Sequence, residues 1–324
     1  MSAAGERGVS VLLLIAHPTE IREQYRQRVQ AAFPELTVNL VEHHSKVDPY
    51  IAEADILVTF GAHMSDDVLA KAGRLRWIQA LGTGVDGIVD APGFRPGTLV
   101  TNLHGHHGPA VSEAVLGFML ALARDLRRAL AQQAAARWQR FPAALLAGKT
   151  VGIVGVGAIA EALAPRCAAL EMEVVGVSSA PRPVANFRRV HPRAELARVA
   201  ADADFLVLLT PYTTQTRGLI SATVLAAMKP SAFLINVARG GVVDEAALVT
   251  ALRERRIAGA ALDVFSQEPL PADDPLWGLD NVLLTSHSAG FHVGYVDDAV
   301  PIVVENIRRF LAGDIDSMIN VVSR

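Results

Sequence analysis

The amino-acid sequence predicts an α/β protein made of two doubly wound parallel-sheet domains, and three observations lead there. Ten short runs are apolar almost without interruption, the pattern of strands covered on both faces. Helical patterns separate them, which favours right-handed crossovers and parallel pairing. The 324 residues suffice for two cores of ordinary size.

The runs come in two series. VSVLLLIA, DILVTF, LRWIQAL and TLVTN occupy the first hundred residues, while TVGIVGVG, EVVGVS, FLVLLT, AFLINVA, GAALDVF and VLLTS follow Lys149. Between them lies VSEAVLGFMLALARDLRRALAQQAAARW, read as one long helix. From Ala114 to Ala123 it is apolar nearly all round, so it should be buried on more than one side. Beyond Arg124 the apolar positions narrow to a stripe of Leu126, Leu130, Ala134 and Trp138. A helix this long, crossing from one half to the other, is expected to share in a subunit interface, giving a homodimer held through Ser112 to Arg140. The expected domains are 104–289 and a discontinuous one, 1–103 with 290–324, that regains a helix around Val300 to Leu311.

Composition removes several function classes. Apolar residues make up 51% and charged residues 19%, which argues against disorder. A net charge of -3 gives no global field for nucleic acid or an anionic membrane. The single cysteine, Cys167, cannot form an internal disulfide, which fits a reducing compartment, and it reads as a helix packing residue. VLLLIA is too short to span a bilayer and lacks the flanks of a leader, so a cytoplasmic protein with no membrane partner is expected.

The second series opens with TVGIVGVGAIAEALAPRCAALEMEVVGVSS, a strand, a glycine turn, an alanine-rich helix and a second strand. Alone, G-x-G-x-x-G is a weak signal; inside this unit it points to dinucleotide binding. Gly155 permits the tight turn and Gly157 lets backbone approach a pyrophosphate at the helix N-terminus, formed by Ala158 and Ile159. Ala160 takes the third position as a small residue.

Ligands of such sheets lie beyond the carboxyl ends of the strands. Arg239 follows LINVA, Glu268 lies a few residues beyond AALDVF, and His287 follows VLLT. Arginine offers a planar fork for a carboxylate or a carbonyl oxygen. A histidine beside a carboxylate exchanges protons near neutrality. Together they make an anion clamp beside an acid/base pair, the equipment for hydride transfer to a 2-oxo acid.

GVGAIA, INVARGGVVDEAAL, GAALDVFSQEPLPADDPLW and NVLLTSHSAG, in that order, resemble the D-isomer-specific 2-hydroxyacid dehydrogenase family, glyoxylate and hydroxypyruvate reductases included. The resemblance covers essentially the whole chain. It implies a Rossmann dinucleotide-binding domain and a flavodoxin-like substrate domain. It also implies that Arg239 binds substrate and that Glu268 and His287 form the proton-transfer pair. LGTGVDGI then places the backbone amides of Thr83 and Gly84 at the substrate carboxylate, and the strand-end cofactor contacts fall on Thr210, Pro211, Val237, Ala238 and Asp263. Ser286 stands where the family has proline, a change expected to loosen the turn and leave the pair intact.

At the second strand's end an NAD enzyme usually carries an acid for the ribose 2′-hydroxyl. Here Ser178 and Ser179 occupy that place, and Arg182 could pair with a 2′-phosphate, with Arg188 or Arg189 less directly placed. NADP(H) is therefore expected in preference to NAD(H), the alternative being serines that cap a turn in a dual-specific or NAD-using enzyme. His104, His106 and His107 read as a junction loop rather than a metal site. Asp244 and Glu245 read as the start of a helix. His63 and His292 read as exposed loop residues, with a ligand-facing role left open. The expected function is exchange of hydride between NAD(P)(H) and a small 2-oxo acid, glyoxylate or hydroxypyruvate first. A nucleotide-dependent interaction protein of the C-terminal-binding co-repressor type is the alternative, disfavoured by the lack of long disordered tails. Formate oxidation is set aside because that branch has glutamine in place of Glu268. A regulated phosphoglycerate dehydrogenase is not expected from a chain with no room for an effector domain.

Overall fold

A computed structural model describes residues 8–65 and 67–323. The chain forms two units, Met1–His106 with Val293–Arg324, and His107–His292.

The discontinuous unit starts with β1 (Ser10–Leu14), β2 (Thr37–Val41), β3 (Ile56–Thr59), β4 (Trp77–Ala80) and β5 (Leu99–Thr101). The continuous unit holds β6 (Thr150–Val154), β7 (Glu173–Ser178), β8 (Arg189–Pro192), β9 (Phe205–Leu208), β10 (Phe233–Asn236), β11 (Gly259–Leu262) and β12 (Val282–Leu284). The chain then returns to the first sheet with β13 (Val321–Ser323).

In the discontinuous unit the order is β13-β5-β4-β3-β1-β2, and β1 to β5 run parallel in the flavodoxin-like arrangement. β13 pairs antiparallel with β5, so this sheet is not wholly parallel as expected. A buried polar chain ties the C-terminal segment to the sheet. Trp77 Nε1 donates to Thr101 Oγ1, whose hydroxyl donates to Gln79 Oε1; Asn306 Nδ2 donates to the same Gln79 oxygen. The Ile319 N–H donates to Asn306 Oδ1 at 2.7 Å. Every one of these side chains except Asn306 sits on a strand, and satisfying them requires the helix Tyr295–Leu311 to dock. That explains why residues 227 apart in sequence share one core.

The continuous unit has order β12-β11-β10-β9-β6-β7-β8, all parallel, with the order of strand addition reversing between β6 and β9. Buried side chains fill both faces: Leu206, Leu234 and Leu262 on one, Ile153, Val207 and Ile235 on the other. Two-sided burial is why these strands read as unbroken apolar runs. Cys167 is packed in the second of these cores, and burial pushes its thiol up to about 12.

The long helix is not continuous, contrary to the expectation. It runs from Gly108 to Ala123, breaks at Asp125 in the left-handed region, and resumes as Leu126–Ala134. Asp125 caps the second piece, its carboxylate accepting from the Arg128 N–H at 3.3 Å. In the first piece Val111, Ser112, Val115, Met119 and Ala123 are buried within their own unit, along one face. Met119 therefore belongs to the core and not to an outer surface. In and just after these two helices the exposed large apolar side chains are Leu120, Leu126, Leu130, Trp138 and Leu145, and Trp138 is 98% exposed.

Candidate active site

Parallel register sets the site. Asn236 lies opposite Leu262, and Leu262 opposite Leu284, so the turns after β10, β11 and β12 emerge side by side at one carboxyl edge. Arg239 stands in the first turn, Asp263 opens the second, and His287 stands in the third.

The turn after β10 is built around a buried Asn236. Its Oδ1 accepts from the Ala238 N–H at 3.1 Å and its Nδ2 donates to the Arg239 carbonyl at 3.0 Å, fixing the backbone of Val237 to Arg239. Gly240 follows because nothing larger fits: a β-carbon there would lie 1.9 Å from the Phe265 carbonyl carbon. The glycine after Arg239 thus allows this turn to press against the turn after β11. Arg239 Nη1 donates to the Ala238 carbonyl at 2.7 Å, folding the guanidinium over its own turn.

Glu268 and His287 meet, with His287 Nδ1 2.7 Å from Glu268 Oε2. The other Glu268 oxygen accepts from the Phe265 N–H at 2.9 Å. Burial pushes the Glu268 carboxyl up, but the hydrogen bond and charge of His287, the Phe265 N–H and the charge of Arg239 outweigh it and hold it below its ordinary range. Glu268 is therefore an anion at neutrality, and Nδ1–H of His287 donates to it. That leaves Nε2 as the ring nitrogen that can hold a proton for delivery elsewhere.

His287 sits at φ +51°, a conformation that costs a side-chain-bearing residue on the order of 1 kcal/mol or more. Asp263, 1% exposed, holds it there. Its Oδ1 accepts from Thr285 Oγ1 at 2.5 Å and from the Ser288 N–H at 2.8 Å, and its Oδ2 accepts from the Ala289 N–H at 3.0 Å. The His287 N–H also donates to the Asp263 carbonyl at 2.8 Å. With Ser286 in place of proline, the turn takes its rigidity from this carboxylate. The family resemblance implies a cofactor contact at Asp263; its carboxylate is engaged by the histidine turn. Glu245 makes a similar tie, its Oε1 accepting from the Ser266 N–H at 2.7 Å, while Asp244 caps the helix Glu245–Arg253 by accepting from the Ala247 N–H. Asn236 and Asp263 are legible as supports only through one signal: a polar residue inside or at the end of a buried apolar run needs a partner.

The glycine turn lies at the same edge. Gly155 has φ +100°, and a β-carbon on it would lie 2.6 Å from the Thr210 nitrogen, so the turn rests against the end of β9 and brings Thr210 and Pro211 beside it. A β-carbon on Gly157 would meet nothing within 4 Å. That open space stands before the helix Ala158–Ala169, whose first N–H groups have no acceptor in the helix and no side-chain cap. An unfilled cradle of backbone donors at a helix N-terminus is what a pyrophosphate requires, so the residues present fit a dinucleotide. Ser178 Oγ accepts from the Ala180 N–H at 3.2 Å, a turn-capping bond that leaves its hydroxyl proton to donate. Ser179 is exposed beside it. Arg182 pairs with Glu161, a first-turn residue of that helix which sequence reading passed over. Arg188 pairs with Glu173 at the opposite, amino end of β7.

In the discontinuous unit Thr83 and Gly84 follow β4. Asn102 Nδ2 donates to the Thr83 carbonyl at 2.7 Å, and Tyr295 Oη donates to the Leu81 carbonyl. His63 Nδ1 accepts from the Ala16 N–H at 3.2 Å, and the ring meets those of His17 and Phe60. His104 and His106 are exposed.

Residues 116–289 match the profile of the D-isomer specific 2-hydroxyacid dehydrogenase, NAD binding domain. A D-3-phosphoglycerate dehydrogenase of Methanocaldococcus jannaschii is 37% identical over 84% of this chain, yet the chain spans only 52% of that relative's length. A glyoxylate reductase of Pyrococcus furiosus is 32% identical over 89% of this chain and 92% of its own. A solved D-isomer specific 2-hydroxyacid dehydrogenase of Xanthobacter autotrophicus, in complex with NADPH and MES, superposes with a TM-score of 0.80 at 33% identity and covers 98% of both chains. Fold, edge residues and relatives agree on a class of two-unit, dinucleotide-binding proteins. This chain belongs to the D-isomer specific 2-hydroxyacid dehydrogenase family.

Proposed function

We propose that the protein interconverts a small 2-oxo acid and its D-2-hydroxy acid with NAD(P)(H), with glyoxylate or hydroxypyruvate as the first substrates to try. The observation that carries this reading is the Glu268–His287 pair at 2.7 Å, close enough to Arg239 for its charge to act on Glu268. When bound, the nicotinamide supplies or takes up a hydride at substrate C2. Arg239 serves the substrate's carboxylate and carbonyl oxygens through its planar fork. His287 gives its Nε2 proton to the oxygen that becomes a hydroxyl, and Glu268 stabilises the protonated ring before that transfer. In the discontinuous unit, Thr83 and Gly84 offer backbone amides for a carboxylate. The cofactor is held through Gly155, Gly157, Ala158 and Ile159 at its pyrophosphate, with Thr210, Pro211, Val237 and Ala238 along the strand ends, while Asp263 acts behind them by holding the histidine turn. Ser178, Ser179 and Arg182 favour NADP(H), since no acid stands at the end of β7 to repel a 2′-phosphate. The co-repressor alternative gains no observation in its favour.

The exposed stripe Leu126, Leu130 and Trp138 supports a homodimer. Among the described residues no helix is long and apolar enough to cross a membrane, and a cytoplasmic location is part of this reading. Assaying a panel of 2-oxo acids with NADH and NADPH in parallel, by nicotinamide absorbance, tests the function. Turnover of glyoxylate or hydroxypyruvate that falls steeply in His287→Ala is the expected result; no turnover of any 2-oxo acid would remove the proposal.

A further inference from the structure

The loop after β7 starts beside the glycine turn. Val154 lies opposite Val177, and the Gly155 N–H donates to the Val177 carbonyl at 2.9 Å. From Ser178 the chain folds back until the Arg182 guanidinium reaches Glu161. Glu161 is four residues past Gly157, in the first turn of the helix whose N-terminal donors are uncapped. For the helix alone a carboxylate there is favourable. For a helix that must receive an anion it is a like charge in the same turn. Arg182 is the cation drawn between the two, and both side chains are half exposed, 57% and 44%.

We propose that Glu161 is a cofactor-discriminating residue: its carboxylate competes with the adenosine 2′-phosphate of NADP(H) for Arg182 and so limits the preference for NADP(H) over NAD(H). The inference rests on the NADP(H) reading of Ser178, Ser179 and Arg182 given above. A 2′-phosphate carries up to two charges and three acceptor oxygens, and a guanidinium binds it best through its two-pronged face. Arg182 offers that face either to Glu161 or to the phosphate. A half-exposed ion pair opens at small cost, so the exchange is accessible, but the cost is charged to NADP(H) alone. The uncharged ribose 2′-hydroxyl of NAD(H) leaves the pair closed. Arg188 cannot substitute, since its partner Glu173 opens the far end of β7.

Calorimetric titration with adenosine 2′,5′-bisphosphate and with 5′-AMP isolates the 2′-phosphate without turnover. Glu161→Gln should tighten the bisphosphate relative to 5′-AMP by roughly two- to five-fold, the factor that a half-exposed ion pair is worth. In an Arg182→Ala background the same substitution should give no such gain. If wild type favours the bisphosphate but Glu161→Gln leaves that preference unchanged or weakens it, the competition is refuted while the NADP(H) reading stands. If wild type, Glu161→Gln and Arg182→Ala all bind the two probes alike, the NADP(H) reading fails and this inference fails with it.

Discussion

Replacing Asp263 by asparagine should disable the histidine turn without unfolding the unit around it. The carboxylate takes three donors, two on Oδ1 and the buried Ala289 N–H on Oδ2. Asparagine keeps the shape but exchanges one oxygen for an NH2 group. Whichever way the amide turns, at least one donor faces another donor, and the remaining bonds lose their charge assistance. One orphaned buried N–H costs about 1–3 kcal/mol, and weakening the other bonds adds to that, for a total of about 2–4 kcal/mol. The strain can be relieved locally, because Ser286, His287 and Ser288 are exposed and the turn can let go of its left-handed geometry.

The cost should therefore appear in catalysis more than in unfolding. A bias of about 2–3 kcal/mol against the competent turn lowers its population by roughly 30- to 150-fold where that turn was dominant, so kcat should fall at least ten-fold. Thermal unfolding should move by less than the roughly 4–16 °C that the full cost would give in a unit of this size. Steady-state kinetics on the best 2-oxo acid, calorimetry and fluorescence titration of the cofactor separate the cases. A normal kcat with a weakened cofactor dissociation constant would refute the reasoning, since Asp263 would then serve the cofactor directly.

Gly155→Ala and Gly157→Ala should differ: the first clashes with the Thr210 backbone and should lower the melting temperature, while the second should fold normally and lose cofactor affinity. Glu268 has a folded carboxyl pKa below its ordinary 4.5, so its ionic contribution to stability is present above that pH and lost as pH falls through the folded value. Urea unfolding of wild type and Glu268→Gln should accordingly show a gap at neutrality that closes in acid; a gap that widens in acid would contradict the assignment. Leu130→Asp or Trp138→Asp should convert a dimer to monomer by light scattering, whereas Met119→Asp should destabilise the fold itself.

The ten runs expected as strands all form strands; nine of them lie between two neighbours, and β12, at a sheet edge with only Val282 buried, still carries an apolar run. The strands that escaped notice, β2, β8 and β13, are all at sheet edges. Thr37 is exposed, and β8 reads RVHP, with a proline that an edge position tolerates. Having one neighbour instead of two, such strands need no continuous apolar run, so periodicity had nothing to find. The helix break has a different cause. Asp125 interrupts a long apolar and alanine-rich run, and a side chain that can cap a new helix after a left-handed residue competes with continuing the old one.

The site was legible where chemistry falls after a strand and opaque where it works through another residue. Arg239, Glu268 and His287 follow apolar runs, so parallel pairing alone brings their turns to one edge. What pairing cannot supply is the aim of each side chain, and that comes from groups with no reactive role. Asn236 fixes the arginine turn, Asp263 holds the histidine at positive φ, and Glu245 pins Ser266 in the turn leading to Glu268. Asn236 and Asp263 satisfy backbone donors or acceptors that would otherwise be stranded at the end of a buried strand. The same requirement that makes strand ends polar thus selects where reactive groups can be held rigidly, and aiming the arginine and the acid/base pair costs the fold few groups that it would not need in any case.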